Sequence, residues 1–179
     1  KKKYGLRAFT QFKKSFQLLL QDCNPFPQWV DFAKLSYKRK LPKLNRQVYI
    51  ELLDYCSLDD QKLNLLYLLK KHLNERELIK HIIKQKTGAN KTFKKQLRKI
   101  QIEALLELAL KLNKKWPEQA SVLHEALALF SYDLNTRIML GWNLYHQKKY
   151  KNAQKLFALL WNKYGRRTAL EGLLFSLAA

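Results

Sequence analysis

The side chains best able to do chemistry are few, and their spacing decides what they can do. Four histidines stand at His72, His81, His124 and His146. No two are four residues apart, and no Glu-x-x-His or His-Glu-x-x-His run occurs. No pair would therefore offer two ring nitrogens from one helix face to a zinc or di-iron centre. Cys23 and Cys56 are far apart and make no metal-type pair. They are expected to be buried thiols that behave as small hydrophobes, with a single disulfide as the alternative. Asp59-Asp60 sets two carboxylates side by side, but at a helix start, where capping accounts for them. No Gly-x-Ser-x-Gly elbow and no phosphate-cradling glycine loop is present. The expectation is a protein that is not an enzyme and has no metal, cofactor or small-molecule substrate.

Charge is the chemistry that remains. The chain carries 35 Lys/Arg against 14 Asp/Glu, a net charge of +21. Residues 1–90 hold 19 basic against 8 acidic residues and residues 91–179 hold 16 against 6, so the excess belongs to the whole chain and not to a tail. A field of this sign favours anionic partners, or it reflects lysine used as a default surface residue. Three clusters stand out. Lys91, Lys94, Lys95, Arg98 and Lys99 form a stripe opposite Phe93, Leu97 and Ile100. It lies at a helix N-terminus, where each positive charge costs about 0.3–1 kcal/mol. Lys38, Arg39 and Lys40, with Lys43 and Arg46, surround Pro42. Lys148, Lys149, Lys151 and Lys155 form the third, with Arg166 and Arg167 after the next helix. The stripe and the Lys38–Lys40 group are candidate contacts for an anionic polymer, either nucleic acid or acidic polysaccharide. An ordinary solvated helix face is the alternative.

The elements that carry these residues are helices. Only five Gly and four Pro punctuate 179 residues, too few for a many-stranded sandwich or barrel. Apolar residues recur at three- and four-residue spacing. They predict helices over 6–21, 28–39, 45–55, 59–72, 74–86, 91–112, 117–130, 136–147, 151–163 and 167–179. Ser57, Asp59 and Asn74 are the expected N-caps of the fourth and fifth. Thr87-Gly88-Ala89-Asn90 reads as a joint, which places an irregular helical region over 1–90 and a more regular one over 91–179. The turns beyond it are short, as antiparallel neighbours require. No stretch of about 18 uncharged apolar residues exists, so no segment is expected to span a membrane. The chain starts at Lys1 and ends on the apolar run Leu173–Ala179, as expected of a piece of a longer protein. A cytoplasmic place is expected for the chain as it stands, and a periplasmic one if a signal or anchor precedes it.

Residues 137–165 read Arg137-x2-Leu140-Gly141-x2-Leu144, then Ala153-x3-Phe157, then Gly165. This resembles the 34-residue tetratricopeptide repeat, Trp-x2-Leu-Gly-x2-Tyr, Ala-x3-Phe and Pro. Gly141 and Ala153 are small where two helices cross closely, and Leu140 and Phe157 fill the space beside the crossing. Arg137, Leu144 and Gly165 depart from the pattern, although a helix-ending Gly replaces the turn Pro well. The resemblance is clear over 134–179, with Leu174 placed at the Leu position of a following repeat. It is weaker 34 residues earlier, at Leu106, Leu110, Leu123 and Ala126, and absent over 1–90.

The resemblance implies an all-α, right-handed α-solenoid of antiparallel helix pairs, nine to ten helices in all. It also implies a scaffold for a protein or peptide partner, within a larger assembly or a secretion or export machinery. In this family the first helix of each repeat lines the concave surface. Carried over, the partner-binding positions are Asn135, Ile138, Trp142, Tyr145 and His146, with Leu140, Gly141 and Leu144 left to the core. The alternative for Trp142 is burial against the helix at 117–130.

Overall fold

The computed structural model describes Thr10, Gln11, Asp31 and residues 42–179. Among the described residues there are eight helices and no strand. They are α1 (Pro42–Tyr55), α2 (Asp59–Lys70), α3 (Glu75–Lys86), α4 (Lys91–Lys111), α5 (Trp116–Leu129), α6 (Leu134–His146), α7 (Tyr150–Tyr164) and α8 (Arg167–Leu177). The count is thus eight where nine to ten were expected of the whole chain. The expected helices at 6–21 and 28–39 lie outside the described residues, as do Cys23 and the Lys38, Arg39 and Lys40 group.

The chain divides into two compact units, Lys1–Leu78 and Ile79–Ala179, and the boundary falls within α3. In the first unit α1 packs on α2. Val48, Leu52 and Leu53 from α1 are buried, as are Leu65, Leu66 and Leu69 from α2. Arg46 Nη2 donates to Glu77 Oε1 at 2.8 Å; both groups are over a third exposed, so this pair is worth about 1 kcal/mol at most.

Among the described residues, three helix starts are closed by a capping side chain. The Asn74 side chain accepts from the Glu77 backbone N–H at 2.9 Å, as a capping residue should. The start of α2 differs from expectation. Leu58 occupies the N-cap position and no side-chain bond closes it, so Asp59 and Asp60 act within the first turn, facing the positive end of the helix dipole. Asn90 caps α4 by accepting from Phe93 N–H at 2.8 Å, and Asp133 caps α6 by accepting from Thr136 N–H at 2.8 Å. Asp133→Ala should cost about 1 kcal/mol, read as a lower urea midpoint, because one N–H donor of the first turn loses its partner. An unchanged midpoint would mean that this cap is dispensable.

In the second unit the helices pack in chain order, α4 on α5, α5 on α6, α6 on α7 and α7 on α8. The links between them are only a few residues long, the length that antiparallel neighbours require. One further pairing skips a neighbour, since α6 also packs on α8. The buried stripe of α4 is Phe93, Leu97, Ile100 and Ala104, continuing through Leu105 and Ala109. Leu108, expected on that stripe, is half-buried. The drift follows from 3.6 residues per turn over a helix of 21 residues. Gly165 ends α7 at φ +59, its N–H donating to Trp161 O at 2.8 Å.

Candidate functional site

Phe157 organises the region around α6. Its side chain is fully buried on α7, in a cluster with Ala153, Leu160 and Ala169. A methyl group built on Gly141 of α6 would fall 2.6 Å from the ring, and one built on Gly172 of α8 would fall closer still. The ring is therefore gripped from two helices at once, and both glycines exist to admit it. Gly141 is as expected for a close crossing, whereas Gly172 was not foreseen.

The register of α8 also departs from expectation. Leu174, assigned to a core position, is 56% exposed, and Leu173 packs on the cluster instead. The N-cap positions of α6 and α8, Asp133 and Arg166, are 33 residues apart and not 34. The inward positions Thr136 and Asn143 accordingly map onto Ala169 and Ser176, which are buried. Leu174, Phe175 and Leu177 form an exposed apolar row.

The five candidate partner-binding residues on α6 divide. Asn135 and His146 are exposed, while Ile138, Trp142 and Tyr145 are half-buried against the Phe157 cluster. Trp142 lies edge-on to Phe157, with ring centroids 5.3 Å apart, and 5.9 Å from Phe175. Its ring partners beyond α6 itself thus come from α7 and α8. Tyr145 adjoins Trp142 at 5.8 Å and Tyr150 at 5.4 Å. His146 stacks on Trp116 at 4.5 Å with planes 11° apart. Leu140 and Gly141 are buried and Leu144 packs on the cluster, as expected of core positions.

Beneath this surface runs a chain of buried amides that the sequence reading missed. Gln119 Nε2 donates to Ala109 O at 2.8 Å. Asn143 Nδ2 donates to Gln119 Oε1 at 2.7 Å and to Trp116 O at 2.8 Å. Gln147 Nε2 donates to Asn143 Oδ1 at 2.6 Å. Three helices are tied in this way, and each buried amide finds partners. The signal in the sequence was a polar residue at an inward position of α5 and another of α6.

A second missed feature is a repeated turn. Asn113-Lys114-Lys115-Trp116 joins α4 to α5, and Gln147-Lys148-Lys149-Tyr150 joins α6 to α7, 34 residues on. The middle lysines Lys114 and Lys148 adopt positive φ, 67° and 60°. That region costs a side-chain-bearing residue about 1–2 kcal/mol and is normally given to Gly. The turns are neighbours, because Trp116 of the first stacks on His146 beside the second.

The basic stripe is where the periodicity placed it. Lys91, Lys94, Lys95, Arg98 and Lys99 are all exposed on α4, opposite the buried Phe93, Leu97 and Ile100. Lys86, which donates to Gln101 Oε1, sits nearby; burial, and then the charge of Arg98, lower its ammonium pKa. Cys56 is buried in the first unit and donates to Gln61 Oε1 at 3.3 Å. Burial outweighs the opposing charge of Lys62 and pushes the thiol up to about 11, so at neutral pH it stays protonated and a poor nucleophile. Among the described residues no three His, Cys, Asp or Glu side chains are placed to share a metal ion. No described helix is long and apolar enough to cross a membrane. Compared with protein-family models and with curated proteins, the chain matches none.

Proposed function

We propose that this chain is a non-enzymatic helical-repeat scaffold of the tetratricopeptide kind, a right-handed solenoid of antiparallel helix pairs that holds a protein or peptide partner within a larger assembly or an export machinery. The observation that carries this reading is the packing of α6 on α8 across α7. Pairs stacked with first helix beside first helix form a curved array, and such arrays present an extended concave surface to a partner. Asn135, Ile138, Trp142, Tyr145 and His146 would line it from α6. Half-exposed Trp and Tyr suit that role, since such rings are enriched among the residues that dominate binding energy.

A photo-crosslinking amino acid at Asn135 or His146, both exposed, tests the proposal in cells expressing the protein. The same group at Asn162, exposed on α7, is the control. A discrete adduct from the α6 positions and none from the control is expected. Equal labelling from all three would remove the groove assignment.

The exposed stripe on α4 favours a second reading, in which the chain binds an anionic polymer.

A further inference from the structure

We infer that the two lysine turns, 113–116 and 147–150, form an edge that binds single-stranded nucleic acid, with phosphates on the lysine pairs and bases against the rings between them. The inference deepens the second reading and rests on the chain binding an anionic polymer.

The turns share sequence pattern and backbone. In each, a lysine at positive φ is followed by a second lysine at the N-cap position, with φ −94° and ψ 64° for Lys115 and φ −86° and ψ 54° for Lys149. An aromatic residue, Trp116 or Tyr150, then opens the helix. Elsewhere among the described residues the positive-φ positions are filled by glycine, at Gly88 and Gly165. The fold thus uses the low-strain residue where a turn only has to turn, and twice places a cation where glycine would be easier. Strain that is kept at a repeated surface position points toward function.

The lysines are available. Lys114, Lys115, Lys148, Lys149 and Lys151 are all exposed. Among the described residues only Lys115 of these meets a carboxylate, Glu118 at 4.0 Å, and both side chains are more than 60% exposed. Rings lie among the cations. His146 is exposed and stacked on Trp116, and Tyr145 stands between His146 and Tyr150, 5.5 and 5.4 Å away. Lys148, Lys149, Tyr150, Lys151 and Asn152 line an open depression of about 360 Å³. Cations that track a backbone, with rings on which bases stack, are how single strands are held without sequence preference. A duplex would satisfy the lysines but offers no base faces. A lipid surface would call for large exposed apolar side chains among the lysines, and these turns carry none. An acidic peptide brings charge without flat rings.

The test uses the full chain and a fluorescent oligothymidylate of about 20 nucleotides, followed by anisotropy over a salt series. The variant is Lys114→Gly, Lys115→Gln, Lys148→Gly and Lys149→Gln combined. A control removes the same charge from the α4 stripe as Lys91→Gln, Lys94→Gln, Lys95→Gln and Lys99→Gln. The turn variant should bind at least about tenfold more weakly. Its log–log salt slope should be shallower by roughly 3, at about 0.7 for each phosphate that is no longer neutralised. Its melting temperature should hold or rise, because glycine fits both positive-φ positions. The control should lose about threefold or less. Equal losses in the two variants would overturn the assignment to the turns while leaving anionic binding in place. Equal affinity of the wild type for a duplex, for polyglutamate or for phosphatidylserine vesicles would overturn the single-strand claim. Failure of the wild type to bind any of these polyanions would remove the reading on which the inference rests.

Discussion

Phe157→Ala should lower the stability of the 79–179 unit by about 3–5 kcal/mol, the range for removing a large ring from a closed core. The size follows from the setting. The ring is fully buried and is held between Gly141 and Gly172, so its removal leaves a gap that neither backbone can fill with a side chain. The transfer term is lost and most of the cavity term remains. Tryptophan fluorescence during urea titration reads the loss, since Trp142, 5.3 Å from Phe157, and Trp161 both pack on the cluster. A loss below about 1.5 kcal/mol would mean that α6 and α8 collapse onto the space, and the ring would no longer count as the wedge.

The second large effect comes from adding atoms. Helix propensity alone says that Gly141→Ala and Gly172→Ala should each stabilise by about 1 kcal/mol, since glycine is a poor helix interior residue. The packing says the reverse. A methyl group at either position meets the Phe157 ring inside contact distance, and a ring pressed from both sides has nowhere to go. Each substitution should therefore destabilise by about 1–3 kcal/mol. The sign is diagnostic, and a double-mutant cycle sharpens it. In a Phe157→Leu background the new methyl has room, so the penalty should shrink by at least about 1 kcal/mol. Additive losses would place the strain somewhere other than this ring.

The helices were legible because their signals are local. Over 42–179, apolar residues at three- and four-residue spacing marked every described helix, and Asn74 and Asn90 begin helices by chemistry visible within four residues. The start of α2 was misjudged because the N-cap position falls on Leu58, which cannot cap, between the two residues Ser57 and Asp59 that could. Register was harder. Leu174 matched a 34-residue step, yet the helix starts at Asp133 and Arg166 are a residue short of it, enough to turn a side chain through about 100° and out of the core. Trp142 illustrates a different limit. Periodicity assigns a residue to a face, and the face of α6 borders both the core and the surface, so half-burial has no signature of its own. The lysine turns were legible in principle, since they recur 34 residues apart, but lysine at positive φ runs against every turn rule that would draw attention to it.

The buried amide chain from Ala109 to Gln147 bears on how the molecule reaches its fold. Leucine-rich helices of similar length are nearly interchangeable as hydrophobic rods, and an array of them could dock one turn out of step with little loss of apolar burial. Gln119 and Asn143 make that slip costly. Displaced by one turn, each would carry its amide into the interior without a partner, at about 1–3 kcal/mol per group. Misdocked intermediates would be sparsely populated for that reason. The penalty falls as the apolar faces close and exclude water, so a wrong alignment should reopen more readily than the native one at that stage.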